Sequence, residues 1–183
     1  MKVSRDQVAE NRRRILETAA RLFRERGFDG VTVSEIMTAA GLTHGAFYGH
    51  FTSKEDLIAH SFAHVLAGSP SEDTRDQVNL ADYAKAYLSE KHRDQPGNGC
   101  LFASLGTEAV RTSAPVRPAM TEAIRRQIET FSRTAPGETP AARRRAAIGS
   151  WSAMVGALVL ARIADDPVLS SELLDETRAW LGG

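Results

Sequence analysis

The chain has 183 residues, 42% hydrophobic and 25% charged, a balance that fits one or two globular domains rather than a disordered or fibrous chain. One cysteine allows no internal disulfide, no uninterrupted apolar run approaches the ~20 residues that span a bilayer, and the start MKVSRDQVAENRRR has no apolar segment for a secretory signal, so the expectation is a cytoplasmic protein with no membrane partner. Net charge is zero overall, yet residues 1–26 carry eight Lys and Arg against four Asp and Glu, 8 − 4 = +4, and a local basic face rather than the sum sets the field felt by phosphates.

The first helix is expected from residue 6 or 11 to residue 26, with Val8, Ile15, Leu16, Ala19, Leu22 and Phe23 as its apolar stripe. Gly27 ends it and Phe28 folds back onto it. Its arginines read either as a solvated face with Arg/Glu pairs or, beside a DNA-binding element, as groups near the DNA backbone.

Residues 34–57, SEIMTAAGLTHGAFYGHFTSKEDL, organise the chain. Thr32 and Glu35 have the spacing of a capping box, and Val33, Ile36, Met37 and Ala40 give the second helix one apolar face. Gly41 suits the left-handed residue after a helix, and Leu42 plugs the angle between two helices. Thr43 caps a third helix over residues 44–50, about two turns long, with Ala46, Phe47 and Phe51 inward. Two short crossed helices with glycine in the turn make a helix-turn-helix.

The run GLTHGAFYGHFTSKEDL resembles the DNA-binding signature of the TetR family of bacterial transcriptional regulators, and the likeness covers residues 11–57. Beyond it, only length, helical character and a Gly-Cys-Leu motif at residues 99–101 agree with that family. The resemblance implies an all-α fold of about nine helices. A three-helix DNA-binding domain is expected at 1–52, and a helical ligand-binding and dimerisation domain at 53–183. It also implies phosphate contacts from Tyr48 and from Lys54, which follows a Ser53 cap. The residues themselves add Thr32, Ser34 and Thr43, because helix N-termini present free N–H groups to phosphate. His44 and Gly45 lie at the leading end of the recognition helix, where base edges are met. His50 reads equally as a phosphate contact or a structural residue. With no Arg, Asn or Gln in that helix for a bidentate base contact, specificity is expected to lean on DNA shape, thymine methyls and half-site spacing.

A fourth helix follows at 53–66, with Leu57, Ile58, Phe62, Val65 and Leu66 on one side. His60 and His64 have a metal-like spacing but no third ligand, so no metal and no cofactor is implied. Residues 68–78 read as a loop, 80–92 as a helix with Tyr83, Ala84, Tyr87 and Leu88 inward, and 94–99 as a break. Cys100 follows Gly99 near a helix start, where a thiol is activated, or else it is a small buried hydrophobe. After a proline-punctuated loop at 112–118 comes a helix at 119–133. Thr139-Pro140 then opens a long one to about 164. That helix is apolar on nearly every face from 146 to 163, so one side needs a second copy of the chain to cover it. Gly149, Ser152, Ala153 and Gly156 form a stripe for close approach, and Leu173 and Trp180 of the last helix join them at a four-helix dimer interface, as the resemblance also implies. The rival reading is that these small residues merely fit the last helix.

The expected function is a homodimeric, ligand-releasable repressor, not an enzyme, on a two-fold double-stranded DNA operator. A small-molecule effector is expected among Phe62, Tyr83, Tyr87, Cys100, Phe102, Leu105, Phe131, Trp151 and Met154, residues that equally make an ordinary core. One alternative is a regulator whose Cys100 thiol senses electrophiles or oxidants. Another is an all-helical binding protein or enzyme with Cys100 as nucleophile and His92 as the nearest base in sequence, with no orienting partner evident.

Overall fold

Ser4 opens the first helix by accepting the Gln7 N–H, and α1 runs Arg5–Arg26 in a computed structural model that describes residues 4–68 and 79–182. Ile15, Leu16, Ala19, Leu22 and Phe23 are buried as the spacing predicts, while Val8 stays exposed. Gly27 closes the helix at φ 74°, and Phe28 turns back to meet Phe23 edge-on at 5.4 Å. Glycine is favoured here by the backbone. The backbone is left-handed, and a Cβ would come within 2.8 Å of the Glu108 carboxylate, which accepts the Phe28 N–H at 2.7 Å.

Helix α2 (Val33–Ala39), a 3-10 helix (His44–Gly49) and α3 (Lys54–Ala67) follow, and α1 packs on both α2 and α3. α3 buries Leu57, Ile58 and Phe62, and the Phe62 ring lies 5.7 Å from Phe28. His60 sits 3.0 Å from Asp56, and His64 3.9 Å from Glu17. Beyond Gly68, the segment expected to be a loop lies outside the described residues. The chain divides into two packed units, one from residues 1–69 with 105–120, the other from 70–104 with 121–183.

The second unit draws on α4 (Leu80–Tyr87), α5 (Glu90–Asp94), a short 3-10 turn (Pro96–Asn98), the start of α6 (Leu101–Ala109), most of α7 (Arg117–Thr134), α8 (Pro140–Ile163) and α9 (Pro167–Gly182). The single helix expected over 80–92 is two. Its ladder breaks at Leu88, whose carbonyl instead accepts from Arg178 at 3.0 Å, and the Ser89 hydroxyl then caps α5. Thr139 and Pro140 open α8 as expected, Thr139 accepting the Ala142 N–H. By length and composition α8 alone among the described helices would reach across a bilayer, yet Ala147, Trp151, Met154, Ala157, Leu158 and Ala161 are buried in this unit's core. α9 packs along α8, and Ser170 Oγ donates to the Ala161 carbonyl at 2.6 Å.

Candidate nucleic-acid interface

The α2 start is the capping box that Thr32 and Glu35 foretold. Thr32 Oγ1 accepts the Glu35 N–H at 3.2 Å, and Glu35 accepts the Thr32 N–H at 2.8 Å. Arg26 donates to the other Glu35 oxygen at 2.7 Å. Arg26 first, then the Thr32 donors, hold the Glu35 carboxyl down at about 2. Ser34, the second residue of this helix, is exposed in its first turn. At the far end the Gly41 N–H donates to Thr38 O and the Leu42 N–H to Met37 O, both at 2.9 Å, with Gly41 at φ 70°. This paired closure fixes the angle at which the chain leaves α2.

The recognition segment is a 3-10 helix rather than an α-helical turn. Six residues with glycine at 45 and 49 hold α-geometry poorly, and at three residues per turn they still make two turns. Thr43 sits at the capping position, but its side chain makes no capping bond, a correction to the expected cap. Thr43, His44 and Gly45 are all exposed. Phe47 is the anchor, 2% exposed and 5.8 Å from Phe51; truncating such a ring costs about 3–5 kcal/mol. On the outer face His44 and Tyr48 stand with rings 6.2 Å apart, and Tyr48 is 69% exposed. A Cβ at Gly45 would meet no atom within 4 Å, and its φ is not positive, so nothing within the chain requires glycine there. His50 is half-buried against Phe51, and burial followed by the Arg12 charge holds its imidazole below 6.5. Lys54 is the first residue of α3, beyond the Ser53 cap that accepts the Asp56 N–H.

Thr32, Ser34, Thr43, His44, Gly45 and Tyr48 thus lie on exposed chain around one short unit, and Lys54 and His50 are half-buried beside it. Several arginines of α1 have partners inside the protein: Arg13 bridges Glu10 and Glu17, Arg21 pairs with Glu25, and Arg12 and Arg14 reach the backbone of the turn. Sequence reasoning did not find those last two roles, because their partners lie 38 and 26 residues away.

The effector candidates separate. Phe62 and Leu105 are each 1% exposed in the first unit's core. Tyr83, Tyr87, Phe102, Phe131, Trp151, Met154 and Cys100 gather in the second, where Tyr83 stacks on Tyr87 at 5.7 Å and Phe102 meets Trp151 edge-on at 5.2 Å. Tyr87 is 5% exposed, and its hydroxyl has no strong hydrogen-bond partner, only the weakly bonding Cys100 thiol beside it. Burial, then the neighbouring Cys100, push that phenol well above its usual range. His92 Nε2 accepts the Cys100 N–H at 2.9 Å, which makes Nδ1 the protonated nitrogen, donating to Tyr87 O at 2.7 Å. Both ring nitrogens are therefore spent on backbone, and His92 is not placed to deprotonate the thiol.

Residues 15–60 match the pattern of the bacterial regulatory proteins of the tetR family. The chain is 36% identical over 72 residues to the uncharacterized HTH-type transcriptional regulator YerO of Bacillus subtilis, covering 39% of this chain and 25% of YerO. It is 45% identical over 57 residues to the HTH-type transcriptional repressor Rv1474c of Mycobacterium tuberculosis, covering 31% and 30%. It thus spans less than a third of the length of either regulator. Among solved structures the reduced form of NemR from E. coli is similar along nearly the whole chain, with a TM-score of 0.73, 26% identity, and 94% of this chain and 95% of NemR covered.

Proposed function

Because the chain belongs to the TetR family of bacterial regulatory proteins, we propose that it is a cytoplasmic, homodimeric, ligand-releasable transcriptional repressor and not an enzyme. The head at residues 1–52 reads a two-fold operator, and residues 53–183 bind the effector and the second subunit. The observation that carries this reading is the exposed recognition edge, Thr43, His44, Gly45 and Tyr48 held over a buried Phe47. Thr32, Ser34 and Lys54 supply backbone contacts at the adjoining helix starts, with His50 beside them.

Dimerisation is supported by apolar surface that one copy leaves uncovered. Along α8, Gly149, Ser152, Gly156, Leu160 and Ile163 recur at spacings of three and four, and Leu160 and Ile163 are 54% and 72% exposed. Val168, Leu169 and Trp180 of α9 are also exposed, Ala153 is half-buried within the α8 run, and Leu173 packs its half-buried side chain against the unit's own core. Effector binding in the second unit is supported by the Tyr87 hydroxyl, buried beside only the Cys100 thiol, since a buried polar group so weakly satisfied is costly unless a ligand engages it. An effector releases DNA only to the extent that it prefers the non-binding conformation.

Footprinting on the DNA upstream of the gene tests the reading. A protected two-fold site, lost on adding the effector, supports it; uniform weak protection contradicts it. A second reading makes Cys100 the sensor, favoured by its place beside Tyr87 and by likeness to a protein whose structure is described as a reduced form. Cys100→Ser separates the two: an unchanged effector response removes the thiol reading.

A further inference from the structure

Helix α1 sends two guanidinium groups to the ends of the two helix-turn-helix elements. Arg14 Nη2 donates to the carbonyl of Ala40, the C-cap of α2. Arg12 Nη1 donates at 2.6 Å to the carbonyl of His50, the cap of the recognition 3-10 helix. These carbonyls belong to the groups a helix C-terminus leaves without an internal donor, and the end they occupy is the negative end of the dipole. Neither contact is loose. The Arg14 nitrogen fills the space a Cβ on Gly41 would need, 2.7 Å away. The Arg12 guanidinium lies 4.3 Å from the Phe51 centroid, over the ring that packs on the Phe47 anchor. Arg13, between them, is spent on exposed pairs with Glu10 and Glu17.

We propose that Arg12 and Arg14 are positioning residues for DNA recognition rather than phosphate ligands. Each clamps the trailing end of one helix-turn-helix element to α1. Arg14 holds the start of the turn at Ala40 and Arg12 the far end of the recognition helix at His50, so together they set the direction in which His44, Gly45 and Tyr48 present themselves. A basic run that composition assigns to the DNA backbone is thereby turned inward onto the protein's own backbone. The inference deepens the regulator reading and rests on it for its effect on DNA, while the clamps themselves are a property of the free protein.

The test compares Arg12→Met and Arg14→Met, which keep the aliphatic stem and lose the donors, with Arg12→Lys. Amide hydrogen exchange is measured on the whole protein without DNA, and operator affinity is measured across salt concentrations. Arg12→Met is expected to accelerate exchange at His50 and Phe51 severalfold, and Arg14→Met at Gly41 and Leu42. Exchange at the buried Leu57, Ile58 and Phe62 of α3, in the same unit, is expected to stay unchanged, which excludes unfolding of that unit. Operator affinity is expected to fall about tenfold or more, with the slope of log affinity against log salt unaltered. Loss of a phosphate contact would instead lower that slope by about 0.9. Arg12→Lys, keeping charge but offering a point donor rather than a fork, is expected to restore affinity only in part. Exchange at the turn unchanged, with a slope reduced by about one and full rescue by lysine, would overturn the proposal. If the wild type bound no fragment specifically, the regulator reading would fail, while the exchange result would still decide whether the clamps exist.

Discussion

Gly45 gives the sharpest separation between what the fold needs and what DNA needs. Its φ is not positive, and a Cβ built there meets nothing within 4 Å. Replacing it with alanine therefore costs no contact and removes backbone freedom from the unfolded chain, a gain of about 0.4–1 kcal/mol. For a chain of this size that is a rise in Tm of roughly 1–4 °C. On the proposed reading, the same methyl group would stand between the leading edge of the recognition helix and the groove. Loss of one close base-edge approach is worth about 1–3 kcal/mol, or roughly fivefold to somewhat over a hundredfold in affinity. Gly45→Ala should thus be more stable and bind its operator more weakly. Thermal melting and a fluorescence anisotropy titration measure the two effects separately. Operator affinity equal to the wild type, with stability raised, would show that the backbone at Gly45 does not approach DNA and would refute the reasoning.

Three other perturbations follow from named groups. Tyr87→Phe removes a buried hydroxyl whose neighbour is only the Cys100 thiol, so stability should change by less than about 1 kcal/mol; a larger loss would show that the hydroxyl has a strong partner. His50 and His92 both titrate below 6.5, through burial first and then the charges of Arg12 and Arg162 respectively. The unfolded chain therefore takes up these protons at higher pH than the folded one. The neutral rings' contribution is complete above about 6.5 and is lost as pH falls from there through the lower folded values. Urea midpoints across pH 5–8 should fall on the acid side, and a flat profile in a His50→Gln, His92→Gln variant identifies the groups. Leu160→Asp places a charge on the exposed α8 stripe, where it costs one chain little and a dimer much, so sedimentation should show monomer with an unchanged melting profile of the individual chain.

What was legible in the sequence was what local chemistry decides. Thr32 with Glu35, Gly41 with Leu42, Gly27 with Phe28 and Thr139 with Pro140 each lie within a few residues of one another, and each forms the expected start or stop. Contacts across long stretches were not legible. The Leu88 break depends on Arg178, the Gly27 turn on Glu108, and the ends of the helix-turn-helix on Arg12 and Arg14. Periodicity that continues through Leu88 and Ser89 cannot show that a distant guanidinium has taken the carbonyl. Similarly, a helix apolar on nearly every face does not show which side is covered. The small residues of α8 stood out in the sequence, but the large exposed members of the same stripe, Leu160 and Ile163, did so only once Trp151 and Met154 were seen buried opposite.

The central claim is that two copies of the His44–Gly49 segment read one two-fold DNA site. It is tested most directly by sedimentation of the protein with its protected upstream fragment, combined with titration at several salt concentrations. Two chains per site are predicted, with affinity falling steeply as salt rises, at a log–log slope of about −0.9 for each phosphate contacted. One chain per duplex, or equal weak binding to unrelated fragments, would contradict the account.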